Sequence, residues 1–133
     1  MKDSFDVTAD IISLFNVPAI TNLLTGSIYA DDRPNDSKLI DVVVNCLGVT
    51  NTAIQRGSAN INIHAPNLES GRKDSVKLRS IAKAIIPYVD TQFKPTFHTD
   101  IDDGGTVMQD RDGTWFYNIP VNYYSVQTNF KNI

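Results

Sequence analysis

The sequence is poor in the residues that most chemistry needs. It has a single cysteine, Cys46, so no disulfide can form within the chain. Cys46 sits inside an apolar run, where a buried structural thiol is expected. His64 and His98 are the only histidines, too few for a histidine-built metal centre. There is no glycine-rich phosphate loop, nucleophile elbow or zinc-binding helix motif. Positive charge is not in excess either. The net charge of −3 gives no electrostatic ground for gripping a nucleic-acid backbone. No apolar run is long enough to cross a bilayer. The first residues carry Asp3 and Asp6 and lack the apolar core of a secretion signal, so folding in a reducing cytosol is expected.

What is present is ordinary globular composition. With 133 residues, 41% apolar and 20% charged, the chain reads as one domain over residues 1–133 with a core of its own. Residues 26–66 organise it: a polar turn over 31–38, then apolar runs over 39–49 and 53–65. The expected fold is α+β, a mainly antiparallel sheet with a broken N-terminal helix and one central amphipathic helix packed on it, in the order α-β-β-β-α-β-β.

Val7, Ile11, Leu14 and Phe15 share one helical face, and Asp3 or Ser4 can cap that helix. Pro18 interrupts it and suits the first position of a new helix. Val17, Ile20, Leu23 and Leu24 continue the pattern, with Gly26 expected as a left-handed cap. A short strand over 27–30 leads to the nearly continuous apolar run 39–47. Such a run fits a strand covered on both faces, by this chain or by another subunit. Residues 57–65 alternate, with Ala59, Ile61, Ile63 and Ala65 on one side and Ser58, Asn60, Asn62 and His64 on a polar outer side.

Leu78, Ile81, Ala82, Ile85 and Val89 mark the second amphipathic helix, capped by Asp74 or Ser75. Pro87 is expected to kink or end it. Arg72, Lys73, Lys77, Arg79 and Lys83 on or beside it read as a solvated face. A strand candidate covers 93–101, a short one 106–109, and Asp110 to Gly113 is a hairpin turn. Residues 115–127 form an aromatic strand with Trp115, Tyr117, Ile119, Val121 and Tyr123 on one face. Pro120 within it argues for an edge strand or a bulge. Residues 128–133 are expected to be a loose tail.

Catalytic and metal readings fare poorly on these residues. Both histidines alternate outward on strands, as solvated or interface histidines. The Asp-rich stretches 100–105 and 110–113 lack calcium-loop spacing and fit turns better. An enzyme built on His98, Asp100 and Asp102, and a glycan- or peptide-binding module using the aromatic strand 115–124, are alternative readings of these residues. No cofactor and no enzymatic activity are expected.

One local pattern carries a family resemblance. A helix ends in Leu23, Leu24, Thr25 and Gly26, followed by Ser27, Ile28 and Tyr29. An Arg33-Pro34 turn with Ser37 comes next, then Asp41, Val42, Val43, Val44 and Asn45. Gln55 to Ile63, with Pro66 and Asn67, completes it. Together with the element order, this resembles the phage tail terminator and tail-completion family, including head–tail joining proteins. The resemblance implies a virion structural protein forming a homo-oligomeric ring, typically a hexamer, at the head-proximal end of the tail. Its partners would be copies of itself, the tail tube protein and the head–tail connector, with genomic DNA only as cargo in the lumen. It would reside in the host cytoplasm before assembly and in the virion's tail or neck afterwards. Another virion part, such as a connector or stopper protein, is the alternative under the same resemblance. A ring needs two different contact faces per subunit. Asp31, Asp32, Arg33, Asp36, Asn67, Arg72, Trp115 and Tyr117 are the candidate interface residues.

Overall fold

A computed structural model describes residues 1–130. Helix α1 (Ser4–Phe15) begins on Asp3, whose carboxylate accepts from the Asp6 backbone N–H while Asp6 returns the bond to Asp3 N. That reciprocal cap satisfies two donors that a helix start otherwise leaves open. Helix α2 (Pro18–Thr21) is a single turn with proline at its first position. It stops well before Gly26, which is not in the left-handed region; the expected glycine cap is absent. Strands β1 (Ile28–Ala30), β2 (Asp41–Val49) and β3 (Ile54–Ala65) follow, then α3 (Ser75–Val89) with Asp74 as its cap. Strands β4 (Gln92–Phe93), β5 (His98–Asp100), β6 (Thr106–Gln109) and β7 (Trp115–Val126) complete the fold.

The α+β class holds, with a seven-stranded, mostly antiparallel sheet in the order β1-β2-β3-β7-β5-β4 and β6 beside β7. Four departures from the sequence reading have physical causes. First, β1 pairs with β2 in parallel, because the long connection 31–40 carries the chain back before β2 begins. Second, α3 runs through Pro87 to Val89; the proline forgoes only its own donation to Lys83 O, and the ladder resumes beyond it with Asp90 N donating to Ile86 O. Third, the strand expected over 93–101 is a hairpin, split at Pro95 and closed by Lys94 N donating to Phe97 O.

Fourth, β7 is central, not an edge. It pairs with β3 along its whole length, with β6 up to Asn118 and with β5 from Asn122. Pro120 falls in the gap between β6 and β5, so its missing N–H costs the sheet little. Of the tail expected to be loose, residues 128–130 form a turn, Phe130 N donating to Gln127 O. Residues 131–133 lie outside the described residues.

Helices α1 and α3 cover one face only. Val7, Ile11 and Phe15 of α1 and Leu78, Ile81 and Ile85 of α3 meet Val42, Val44, Ile61, Ile63, Ile119 and Tyr123 of the sheet. Each such buried side chain contributes about 1.5–3 kcal/mol. Tyr123 also donates to Asp10 Oδ2 at 2.5 Å, and Lys2 Nζ lies 2.7 Å from the same oxygen, tying α1 to the centre of the sheet. Cys46 faces this core but is only half-buried; its Sγ lies 3.4 Å from Gly48 O, and burial pushes the thiol pKa up. No helix among the described residues is long and apolar enough to cross a membrane.

Candidate functional site

The loop after β1 is held by a carboxylate that the sequence places inside an apolar strand. Asp41 is fully buried on the face of the sheet away from the helices. It accepts from Ser27 N at 3.1 Å and Ser37 Oγ at 2.6 Å, and Arg33 Nη1 lies 3.4 Å away. Gly26 makes this possible, since a Cβ there would collide with the Asp41 carboxylate. Arg33 is therefore turned inward and occupied, not displayed to a neighbour as expected. Asp31 and Asp36 adopt positive φ (67° and 60°), which aspartate tolerates in tight turns. Asp31, Asp32 and Asp36 are exposed and form no ion pair among the described residues.

His64 follows on the neighbouring strand, opposite Asp41. The expectation of a solvated histidine fails for it: the ring is buried and stacks on Phe116 at 5.1 Å. Its Nδ1 makes no hydrogen bond and lies 3.9 Å from Asp110 Oδ2. Burial, and then the Arg33 charge, lower its pKa to about 4, so it is neutral at physiological pH. His98 is half-buried, edge-on to Phe93 and Tyr124, with Nε2 3.5 Å from Asp100 Oδ2. Asp100 also accepts from Asn122. No hydrogen bond among the described residues joins either histidine to a serine, threonine or cysteine. Among the described residues no group of three or more His, Cys, Asp or Glu is placed to hold a metal ion.

The remaining interface candidates gather at the start of β7. Asn67 donates to Gly113 O at 3.1 Å, pinning the hairpin tip to the loop after β3. Arg72 is exposed in that loop. Trp115 and Tyr117 face the helix side. Lys73 lies 4.9 Å over the indole, and the Tyr117 hydroxyl donates to Gly104 O at 2.6 Å. Tyr123, further along, is fully buried, so the aromatic row is largely core and not an open platform.

Between α3 and β6 runs a groove of about 430 Å³. Its floor includes Leu78, Ala82, Val107 and Tyr117, and Lys73, Arg79 and Lys83 stand on its rim. Their spacing predicts a solvated face; the structure sets these three cations around an apolar depression.

Among the described residues no helix covers the sheet face opposite α1 and α3; the loop 31–40 packs over its start, where Asp41, Val43 and His64 are buried, and the rest lies open. Its middle is an amide cluster in which Asn118 Nδ2 donates to Asn60 Oδ1 at 3.0 Å and Asn62 Oδ1 at 2.8 Å. Toward the far end it turns apolar: Ile54 (50% exposed) lies across from Val126 (68%), and Phe93 (72%) stands beyond β5. Leu47 (69%) is the extra residue of a bulge in β2. Val43, by contrast, is buried. The apolar run of β2 is thus covered at its start and open at its end.

No family model and no curated protein matches this chain. Geometry and the resemblance carried by residues 26–67 are therefore the grounds for a functional reading.

Sequence reasoning missed the role of Asp41. The signal was present, since an aspartate amid β-branched strand residues must find donors once buried. The groove was hidden because its walls come from α3 and β6, about thirty residues apart in the chain.

Proposed function

We propose that this protein is a ring-forming structural component of a phage tail, a tail terminator that ends tube assembly and joins the tail to the head connector. The observation that carries the reading, beside the resemblance, is the open part of that sheet face with its exposed Leu47, Ile54, Val126 and Phe93. Large exposed apolar side chains, among them the cross-strand pair Ile54 and Val126, favour burial against another protein. The side chains of the domain are spent on anchoring loops, as Asp41 and Asn67 show, which suits a structural part more than a catalyst. A net charge of −3 per subunit suits a lumen through which DNA must slide without sticking.

Size-exclusion chromatography with light scattering, alone and with polymerised tail tube protein, tests the proposal. Closed rings, or capture on tube ends with arrested elongation, are expected. A strict monomer that ignores tube ends refutes it.

A further inference from the structure

The groove between α3 and β6 and the acidic loop after β1 lie at opposite edges of the sheet. β1 is the edge strand on one side, while β6 lies on the far side of β7. Four strand spacings separate them, about 19 Å. The loop is bonded to Asp41 on the sheet face away from the helices, whereas the groove opens on the helix face, so the loop does not serve its own protomer's groove.

The two surfaces are complementary in charge. On the groove rim, Lys73, Arg79 and Lys83 have no carboxylate within ion-pair distance among the described residues. On the loop, Asp31, Asp32 and Asp36 are exposed and equally unpaired. Arg33 is withdrawn onto Asp41, so Lys38 is the one cation left outside to oppose three acids. The loop also offers an apolar side chain, Leu39, 47% exposed, to a groove whose floor is apolar.

We infer that the α3–β6 groove of one protomer receives the loop 31–39 of a second copy of this chain. The inference rests on the ring reading and gives it a specific contact. Because donor and acceptor surfaces differ and sit at opposite edges, the contact is head-to-tail. Repetition of one such contact closes a ring when the rotation per step divides the circle, and otherwise grows a filament. Paired charges at its rim make association fall with rising salt.

The experiment is a charge swap on the full chain, read by light scattering over a concentration and salt series. Arg79→Glu with Lys83→Glu, or Asp31→Lys with Asp32→Lys, is expected to weaken self-association by about tenfold or more at low salt. Mixing the two double variants, or combining all four changes, restores it, because each acidic groove then meets a basic loop. Melting temperature is followed throughout, and the milder pair Arg79→Gln with Lys83→Gln serves if a reversal unfolds the domain. Association that ignores these variants, or a loss that the swap does not restore, overturns the inference while leaving a ring built on another contact. A wild-type chain that stays monomeric at every concentration overturns the inference too; whether it then caps tube ends decides the ring reading separately.

Discussion

Gly26 and Asp41 stand so close that the glycine cannot carry a side chain. A Cβ on Gly26 would run into the Asp41 carboxylate and lie 3.1 Å from Ile40 O. The loop that follows depends on that carboxylate, so the absence of one methyl group fixes where the candidate contact loop sits. Gly26→Ala is expected to cost about 1–3 kcal/mol, as overpacking does, measured by urea denaturation. A variant as stable as the parent would show that Asp41 has room to move.

Removing the carboxylate itself should cost more. Asp41→Ala leaves Arg33 half-buried without its counter-charge and Ser27 N without its acceptor. A loss of about 3–5 kcal/mol is expected, with faster proteolysis within 31–40 as the local readout. Unchanged cleavage there would mean that the loop is held by something else.

The bond from Tyr123 to Asp10 joins the central strand to α1. Burial first, and the Asp10 bond next, push the phenol pKa upward. Tyr123→Phe keeps the ring stacked near Phe97, 5.6 Å between centroids, and removes only the hydroxyl. The expected loss is about 1.5–3 kcal/mol, the range for a hydrogen bond to a charged group, with no change in the fold by circular dichroism.

His64 makes stability depend on pH. Its folded pKa, about 4, lies below the ordinary 6.5, so between those values the unfolded chain binds a proton that the folded chain refuses. Stability therefore falls as pH drops from about 6.5 toward 4, by up to about 3 kcal/mol from this group. His64→Gln should flatten that slope, most visibly between pH 6.5 and 5, above the carboxylate range. A slope that persists in the variant assigns it to other groups.

Thr91 is a β-branched residue at φ 53°, the turn from α3 into β4. The left-handed region suits glycine there. Thr91→Gly is expected to raise stability by about 1 kcal/mol, seen as a higher denaturation midpoint. A lower midpoint would mean that the Thr91 hydroxyl bond to Asp90 outweighs the backbone strain.

Regular repeats along the chain were legible because a single element decides them. The period of two over 57–65 placed Ala59, Ile61 and Ile63 in the core, and the helical spacing of Leu78, Ile81, Ile85 and Val89 marked the buried face of α3. The Asp3 and Asp74 caps and the turn at Asp110 to Gly113 depend only on neighbours a few residues away. What lay between elements was decided in three dimensions. Pro120 reads as an edge signal, yet it occupies a central strand because two other strands stop short on either side of it. His64 alternates to the polar face and is nevertheless buried, with Phe116 stacked on its ring and Asp110 beside it.

The candidate site divides in the same way. From its residues alone, the stretch 31–38 was an exposed acidic turn, and its three aspartates remain exposed. That Arg33 would be spent on Asp41, and that Lys73, Arg79 and Lys83 would ring an apolar groove at the opposite edge, followed only from strand order. Sequence determines local geometry through short-range sterics and periodicity; which side chains meet, and which charges are left to face a partner, is decided by how distant strands and helices pack.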